Sequence, residues 1–217
     1  CWNGKSLPIE GSDAENCLNG VEFLEAFSQG RLKVGAQKVV CVGGGDTSID
    51  VVSVARRLGH ISNMNPQEKP EAVVHGYVAQ DVSEQAIKEG AEVTLTSLFK
   101  REEMTAAEQE VNDAMHEGVS ILNGVIPVKI ERDENGRATA LVVADCVFEE
   151  NVPKPVEGTE KVIEADLIIS AIGQSPDIEG YEEMGNERGF FDVDDFYRHK
   201  TKEGHFVAGD IIRPHLL

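Results

Sequence analysis

No stretch of this chain approaches the roughly 18 consecutive apolar residues that a membrane-spanning helix requires, and no basic region leads into an apolar signal core. A soluble, unexported, cytoplasmic protein without membrane insertion is expected. Basic side chains are scarce: 20 Lys and Arg stand against 39 Asp and Glu, a formal net charge of −19. Such a surface repels a phosphate backbone, which excludes nucleic acid and anionic membranes as partners. Cysteine is sparse as well. Cys1, Cys17, Cys41 and Cys146 lie far apart, and no two have the C-x-x-C spacing of a redox dithiol, a zinc knuckle or a cluster ligand set. Isolated reduced thiols are expected, with Cys41 as a small core residue. The six histidines have no metal-like spacing. No G-x-S-x-G nucleophile elbow occurs at Ser48, Ser97 or Ser170.

What remains is a chain of 217 residues, 41% apolar, long enough for one large domain or two small ones. Val21 to Gln29 reads as a short helix stopped by Gly30, Lys38 to Val42 as a buried strand, and Thr47 to Leu58 as a helix. Residues 60 to 80 are polar, with a weak strand signal at Ala72 to His75. Asp81 to Glu89 then reads as a capped helix and Val93 to Phe99 as a strand. Thr105 and Glu108 have capping-box spacing ahead of an apolar stripe of Ala107, Val111, Ala114 and Met115. Val125 to Glu131 and Ala138 to Phe148 flank the turn Asp133-Glu134-Asn135-Gly136, and an acidic loop, Glu149 to Lys161, follows. Leu167 to Ile172 and His205 to Ala208 read as further strands. Strands alternating with helices, with a β meander inserted late, predict a three-layer α/β domain with a mostly parallel sheet.

The chemistry concentrates at KVVCVGGGDTSID, residues 38 to 50. A dinucleotide site needs a tight strand-to-helix turn, close approach of backbone to pyrophosphate, and a small residue where the helix packs on the strand. The helix N-terminus adds unpaired N–H groups and a positive dipole end. Gly43 and Gly45 fill the first two positions, Gly44 lies between them, and Ser48 stands where a third glycine or alanine is usual. Asp46 and Thr47 would contribute mainly backbone groups. The same turn could hold the nucleoside end of a methyltransferase cofactor, or be an ordinary glycine-rich turn.

Five segments in order carry a resemblance: WNGKSLPIEG at 2–11, GGGDTSID at 43–50, Val93-Thr94-Leu95 with Arg101-Glu102-Glu103-Met104, ADLIISAIGQSPD at 165–177, and Val207-Ala208-Gly209-Asp210. Together they resemble the glutamate synthase small-subunit-like flavoproteins, within the two-dinucleotide-binding-domain oxidoreductases. The resemblance implies a Rossmann-like NAD(P)-binding domain with an inserted β meander at 21–175, plus part of an FAD-binding domain at 1–20 and 176–217. It implies hydride transfer between the nicotinamide and FAD, with electrons passing to or from iron–sulfur clusters or a partner protein. It also implies no catalytic acid or base in this segment. Ala171, Ile172 and Gly173 would lie near the nicotinamide nucleotide, and Gly209 and Asp210 near the flavin.

Three departures from the family pattern matter. The family's FAD glycine motif and its iron–sulfur cysteines are absent, so the chain is expected to be a piece of something longer that retains no FAD alone. Where NADPH-using members carry Tyr-Arg-Arg, this sequence has Ser97-Leu98-Phe99. Lys100 and Arg101 follow, outside the position of the phosphate clamp, so NAD(H) is expected in preference to NADP(H). The insertion His60 to Glu92, with the lost arginine pair, resembles the branch that accompanies reverse dissimilatory sulfite reductase in sulfur-oxidising bacteria. The alternative function is a non-catalytic docking module with a vestigial nucleotide site.

Overall fold

The computed structural model describes residues 2–29, 36–57, 91–209 and 211–212. The insertion expected from His60, the strand at Ala72 to His75, the helix at Asp81 to Glu89, and Asp210 lie outside the described residues, save the insertion's last two positions. The chain divides into two compact units, Gly4–Gly173 and Cys1–Asn3 with Gln174–Leu217.

In the larger unit five parallel strands form one sheet. They are β2 (Cys17–Asn19), β3 (Lys38–Val42), β4 (Glu92–Ser97), β5 (Ser120–Asn123) and β10 (Leu167–Ser170), in the order β2-β10-β3-β4-β5. Alternate residues of a strand face opposite sides, and here both sides are buried. Val39, Cys41, Val93, Leu95, Leu167 and Ile169 pack against α1 (Gly20–Ser28), α2 (Asp46–Arg57) and α3 (Glu108–His116), through Phe23, Val52, Val111 and Ala114. Val40, Val42 and Ile168 face the other way, into a core with Val125, Ile130, Leu141 and Val143. Burial on both faces is why these strands read as unbroken apolar runs rather than as alternation.

The residues on that second face belong to an antiparallel sheet. β6 (Val125–Arg132) pairs with the long β7 (Ala138–Glu149), whose other edge takes β8 (Val152–Pro155) and β9 (Lys161–Glu164). The expected α/β architecture is therefore observed, its three layers being helices, parallel sheet and β meander. The turn between β6 and β7 is fixed by Asp133, whose Oδ1 accepts the N–H groups of Asn135 and Arg137, each at 2.9 Å. Those bonds hold its carboxyl below the usual range.

Three local expectations fail. Glu149 to Lys161 contains β8 despite Pro153 and Pro155. That strand pairs with β7 alone, and an edge strand tolerates residues that cannot donate. The capping box is not formed: the N-cap of α3 is Ala107, because the Thr105 hydroxyl turns instead to the carbonyl of Gly44, at 3.4 Å. His205 to Ala208 makes only the isolated bridge of Phe206 with Arg198.

The smaller unit is irregular. A two-stranded sheet joins β1 (Trp2–Gly4) and β11 (Gln174–Pro176), and the rest is turns, a 3-10 turn at Glu182–Met184 and isolated bridges, with His199 buried. Its Nδ1 accepts the N–H groups of Thr201 and Lys202, at 3.2 and 3.1 Å, so its Nε2–H donates to the Met184 carbonyl at 2.8 Å.

Candidate functional site

The order β10-β3-β4 puts a topological switch point beside β3: the chain leaves β3 for β4 on one side and returns as β10 on the other. Crevices at such points, above the carboxyl ends of the strands, are where doubly wound sheets bind nucleotides. Here a cleft of about 630 Å³ opens over the ends of β3, β4 and β10.

Its floor is the turn from β3 into α2. The Gly43 N–H donates to Thr96 at 2.9 Å, and the Ala171 N–H donates to Val42 at 2.7 Å, drawing three strand ends together. Clearance, not backbone strain, demands the glycines. A Cβ on Gly43 would lie 2.5 Å from the Ala171 carbonyl oxygen, and one on Gly44 would lie 2.7 Å from Ser97 Oγ. None of Gly43, Gly44 and Gly45 is among the positive-φ residues. A Cβ on Gly45 would meet nothing closer than 3.3 Å, so it is the least constrained of the three.

Ser48 is fully buried and donates to the Gly45 carbonyl at 2.5 Å. It is the small residue that lets α2 pack on β3, and it does not line the cleft. Asp46 does not line the cleft either: its Oδ1 accepts the Ala107 N–H at 3.2 Å, tying the start of α2 to the start of α3. Among the described residues no backbone bond engages the N–H groups of Gly44, Gly45, Asp46 or Thr47. Those are the donors that a helix N-terminus offers to an anion.

Of the residues singled out in the sequence, Gly43, Gly44, Gly45, Thr47, Ser97, Ala171, Ile172 and Gly173 all line the cleft. Ser97 is buried and its Oγ accepts the Phe99 N–H at 3.2 Å, shaping the strand end. Lys100 and Arg101 do not line it. The Arg101 guanidinium lies along α3, donating to Asn112 Oδ1 at 2.6 Å and resting on the Met115 sulfur. Gly209, at φ +84°, belongs to the smaller unit.

Sequence reading missed much of the wall: Leu7, Ile9, Ile126, Pro127 and Pro153 line the cleft, as does Thr105. No local signal marks them: Ile126, Pro127 and Pro153 reach the cleft because the meander folds over the sheet, and Leu7, Ile9 and Thr105 because the N-terminal segment and the turn before α3 pack beside it. Among the described residues, the cleft lining has no charged side chain. Nor does any group of three or more His, Cys, Asp or Glu among those residues form a metal site, and no helix there is long and apolar enough to cross a membrane.

A glycine turn running into a helix N-terminus at the switch point of a parallel sheet defines the dinucleotide-binding class of α/β domains. Residues 3–217 match the pyridine nucleotide-disulphide oxidoreductase family, and the chain belongs to it. The beta subunit of the NADPH-Fe(3+) oxidoreductase of Geobacter sulfurreducens is 33% identical over 184 residues, covering 80% of this chain and 23% of that protein. The glutamate synthase [NADPH] small chain of Azospirillum brasilense is 27% identical, covering 98% of this chain and 42% of that protein. The chain thus spans less than half the length of either. Among solved structures, T. acidophilum thioredoxin reductase superposes with TM-score 0.59 at 18% identity over 99% of this chain and 56% of that one. Mycobacterium tuberculosis FprA, solved with NADPH, gives TM-score 0.64 at 12% identity over 97% and 56%. These likenesses bear on the fold.

Proposed function

We propose that the cleft holds a nicotinamide dinucleotide and that the chain is the pyridine-nucleotide portion of a flavoprotein oxidoreductase. The observation that carries this is the pair of clearances at Gly43 and Gly44, 2.5 and 2.7 Å from their neighbours to a built Cβ. They pack the turn against β10 and β4 with no room for a side chain, at the helix N-terminus whose four N–H groups, Gly44 to Thr47, no backbone bond engages among the described residues. Those N–H groups would hold the pyrophosphate, Ser97 and its neighbours the adenosine ribose, and Ala171 to Gly173 the nicotinamide nucleotide. When bound, the dinucleotide supplies hydride chemistry, exchanged in the longer protein with FAD and from there with iron–sulfur clusters or a protein partner. The chain's own residues bind, orient and exclude water.

In this reading residues 21–175 are the pyridine-nucleotide domain, against which 4–20 pack within the larger unit, and 176–217 belong to the flavin domain, Gly209 and Asp210 near the flavin. The chain by itself is expected to purify without the visible absorbance of a flavin. We favour NAD(H) over NADP(H). The relatives named above carry NADPH in their names and lend this no support. What supports it is the strand end Ser97-Leu98-Phe99 and the engagement of Arg101 by Asn112 and Met115, away from the cleft.

Titrating the chain with NADH, following nicotinamide fluorescence, tests the reading. Saturable binding that ADP-ribose displaces is the expected result. A folded chain that binds no NADH at millimolar concentration would overturn it in favour of a docking module with a vestigial site.

A further inference from the structure

We infer that the adenine of the dinucleotide is recognised by stacking on the aromatic pair Phe99 and Phe148, the second of which is supplied by the β7–β8 hairpin. This rests on the nucleotide reading above and names its adenine-recognising element. In dinucleotide-binding folds the adenosine ribose meets the end of the strand that follows the glycine turn, here β4. With the pyrophosphate on the β3 turn, one half of the dinucleotide extends over β10 and the other over β4. The adenosine half falls at the end of β4, where Phe99 lines the cleft.

Among the described residues that end offers no cation, since neither Lys100 nor Arg101 lines the cleft. It offers aromatic surface instead. The Phe99 and Phe148 rings are stacked, with centroids 5.8 Å apart and planes 15° from parallel. Both remain accessible, at 38% and 47% of full exposure. Two neighbouring phenylalanines held this open in solvent forgo burial that the hydrophobic effect would otherwise favour. Their parallel planes present a flat face suited to a planar heterocycle.

The hairpin is registered to the strand end rather than draped near it. The Phe99 carbonyl accepts from Gly124 N–H at 3.2 Å and from Asn123 Nδ2 at 3.1 Å, and the Gly124 carbonyl accepts from Cys146 N–H at 2.8 Å. Two residues on from Cys146 is Phe148, which does not itself line the cleft but stacks on Phe99 and pairs across the hairpin with Pro153, both of which do. The turn is closed by Glu150 and Asn151, at φ +50° and +67°, the left-handed pair that gives a tight two-residue hairpin.

The test is the affinity of NADH and of ADP-ribose for the wild-type chain and for Phe148→Ala, Phe148→Leu and Phe148→Trp. Phe148→Ala is expected to weaken both ligands about tenfold, as loss of a base-stacking aromatic does. Phe148→Leu, which keeps bulk and loses the flat ring, is expected to weaken them nearly as much, and Phe148→Trp to bind as wild type. Phe148 is half-exposed at a hairpin end, so melting temperatures of the variants are expected to stay close to wild type. Unchanged affinity in Phe148→Ala, or wild-type affinity in Phe148→Leu, overturns the stacking role while leaving the nucleotide reading intact. A wild-type chain that binds neither ligand fails the nucleotide reading and this inference with it.

Discussion

Gly43 decides the most at the scale of single residues. Its Cβ position is 2.5 Å from a backbone carbonyl that is itself held by the Ala171–Val42 pairing, so no side-chain rotation can relieve a substitution. Gly43→Ala is expected to force the ends of β3 and β10 apart, costing about 1–3 kcal/mol and lowering Tm by about 2–12 °C. Thermal unfolding followed by circular dichroism checks this. Gly45→Ala, where the nearest atom is a threonine hydroxyl at 3.3 Å, is expected to change Tm by less than half as much. Motif spacing ranks Gly43 and Gly45 alike. Only the carbonyl of Ala171, more than a hundred residues away in sequence, separates them.

Elements determine which nucleotide fits. Arg101 follows the strand end in sequence, yet its guanidinium lies on α3 against Asn112 and Met115. Arg101→Ala is therefore expected to leave NADH and NADPH affinities within about twofold of wild type. Leu98→Arg places a guanidinium on a residue that does line the cleft. It is expected to shift preference toward NADPH about tenfold, equivalent to about 1.4 kcal/mol. Parallel titrations with the two nucleotides check both. If Arg101→Ala alone weakens NADPH strongly, the side chain leaves α3 to meet the ligand and the NAD(H) preference falls.

The elements also mark how far sequence patterns carry. β3 occupies Lys38–Val42, as expected from its apolar run ending in glycine, and α2 begins one residue before its expected start at Thr47. Both are local: a buried strand and an amphipathic helix announce themselves in consecutive residues. The capping box at Thr105 and β8 at Val152–Pro155 were misread because partners distant in sequence decide them, the Gly44 carbonyl in one case and β7 in the other. The same holds for the cleft. Its floor was legible in GGGDTSID, while the walls from Leu7, Ile126 and Pro153 depend on tertiary placement that no spacing encodes.

For the molecule as a whole, charge and site pull in different directions. The chain carries a formal charge of −19, the proposed ligand is an anion, and no cation lines the cleft among the described residues. Long-range repulsion then opposes association, and salt screens that repulsion. NADH affinity is expected to hold steady or rise, by about twofold at most, as ionic strength goes from about 0.01 M to about 0.15 M. A steep fall with salt would show that cations outside the described cleft carry the binding.

Backbone amide hydrogen exchange, resolved by residue with and without saturating NADH, asks directly whether the glycine turn is the cradle. Slowed exchange is predicted at Gly44 to Thr47, with further protection at Ser97 to Phe99 and Ala171 to Gly173. Bound NADH that leaves the amides of Gly44 to Thr47 unprotected, or protects residues 174–209 alone, would contradict it.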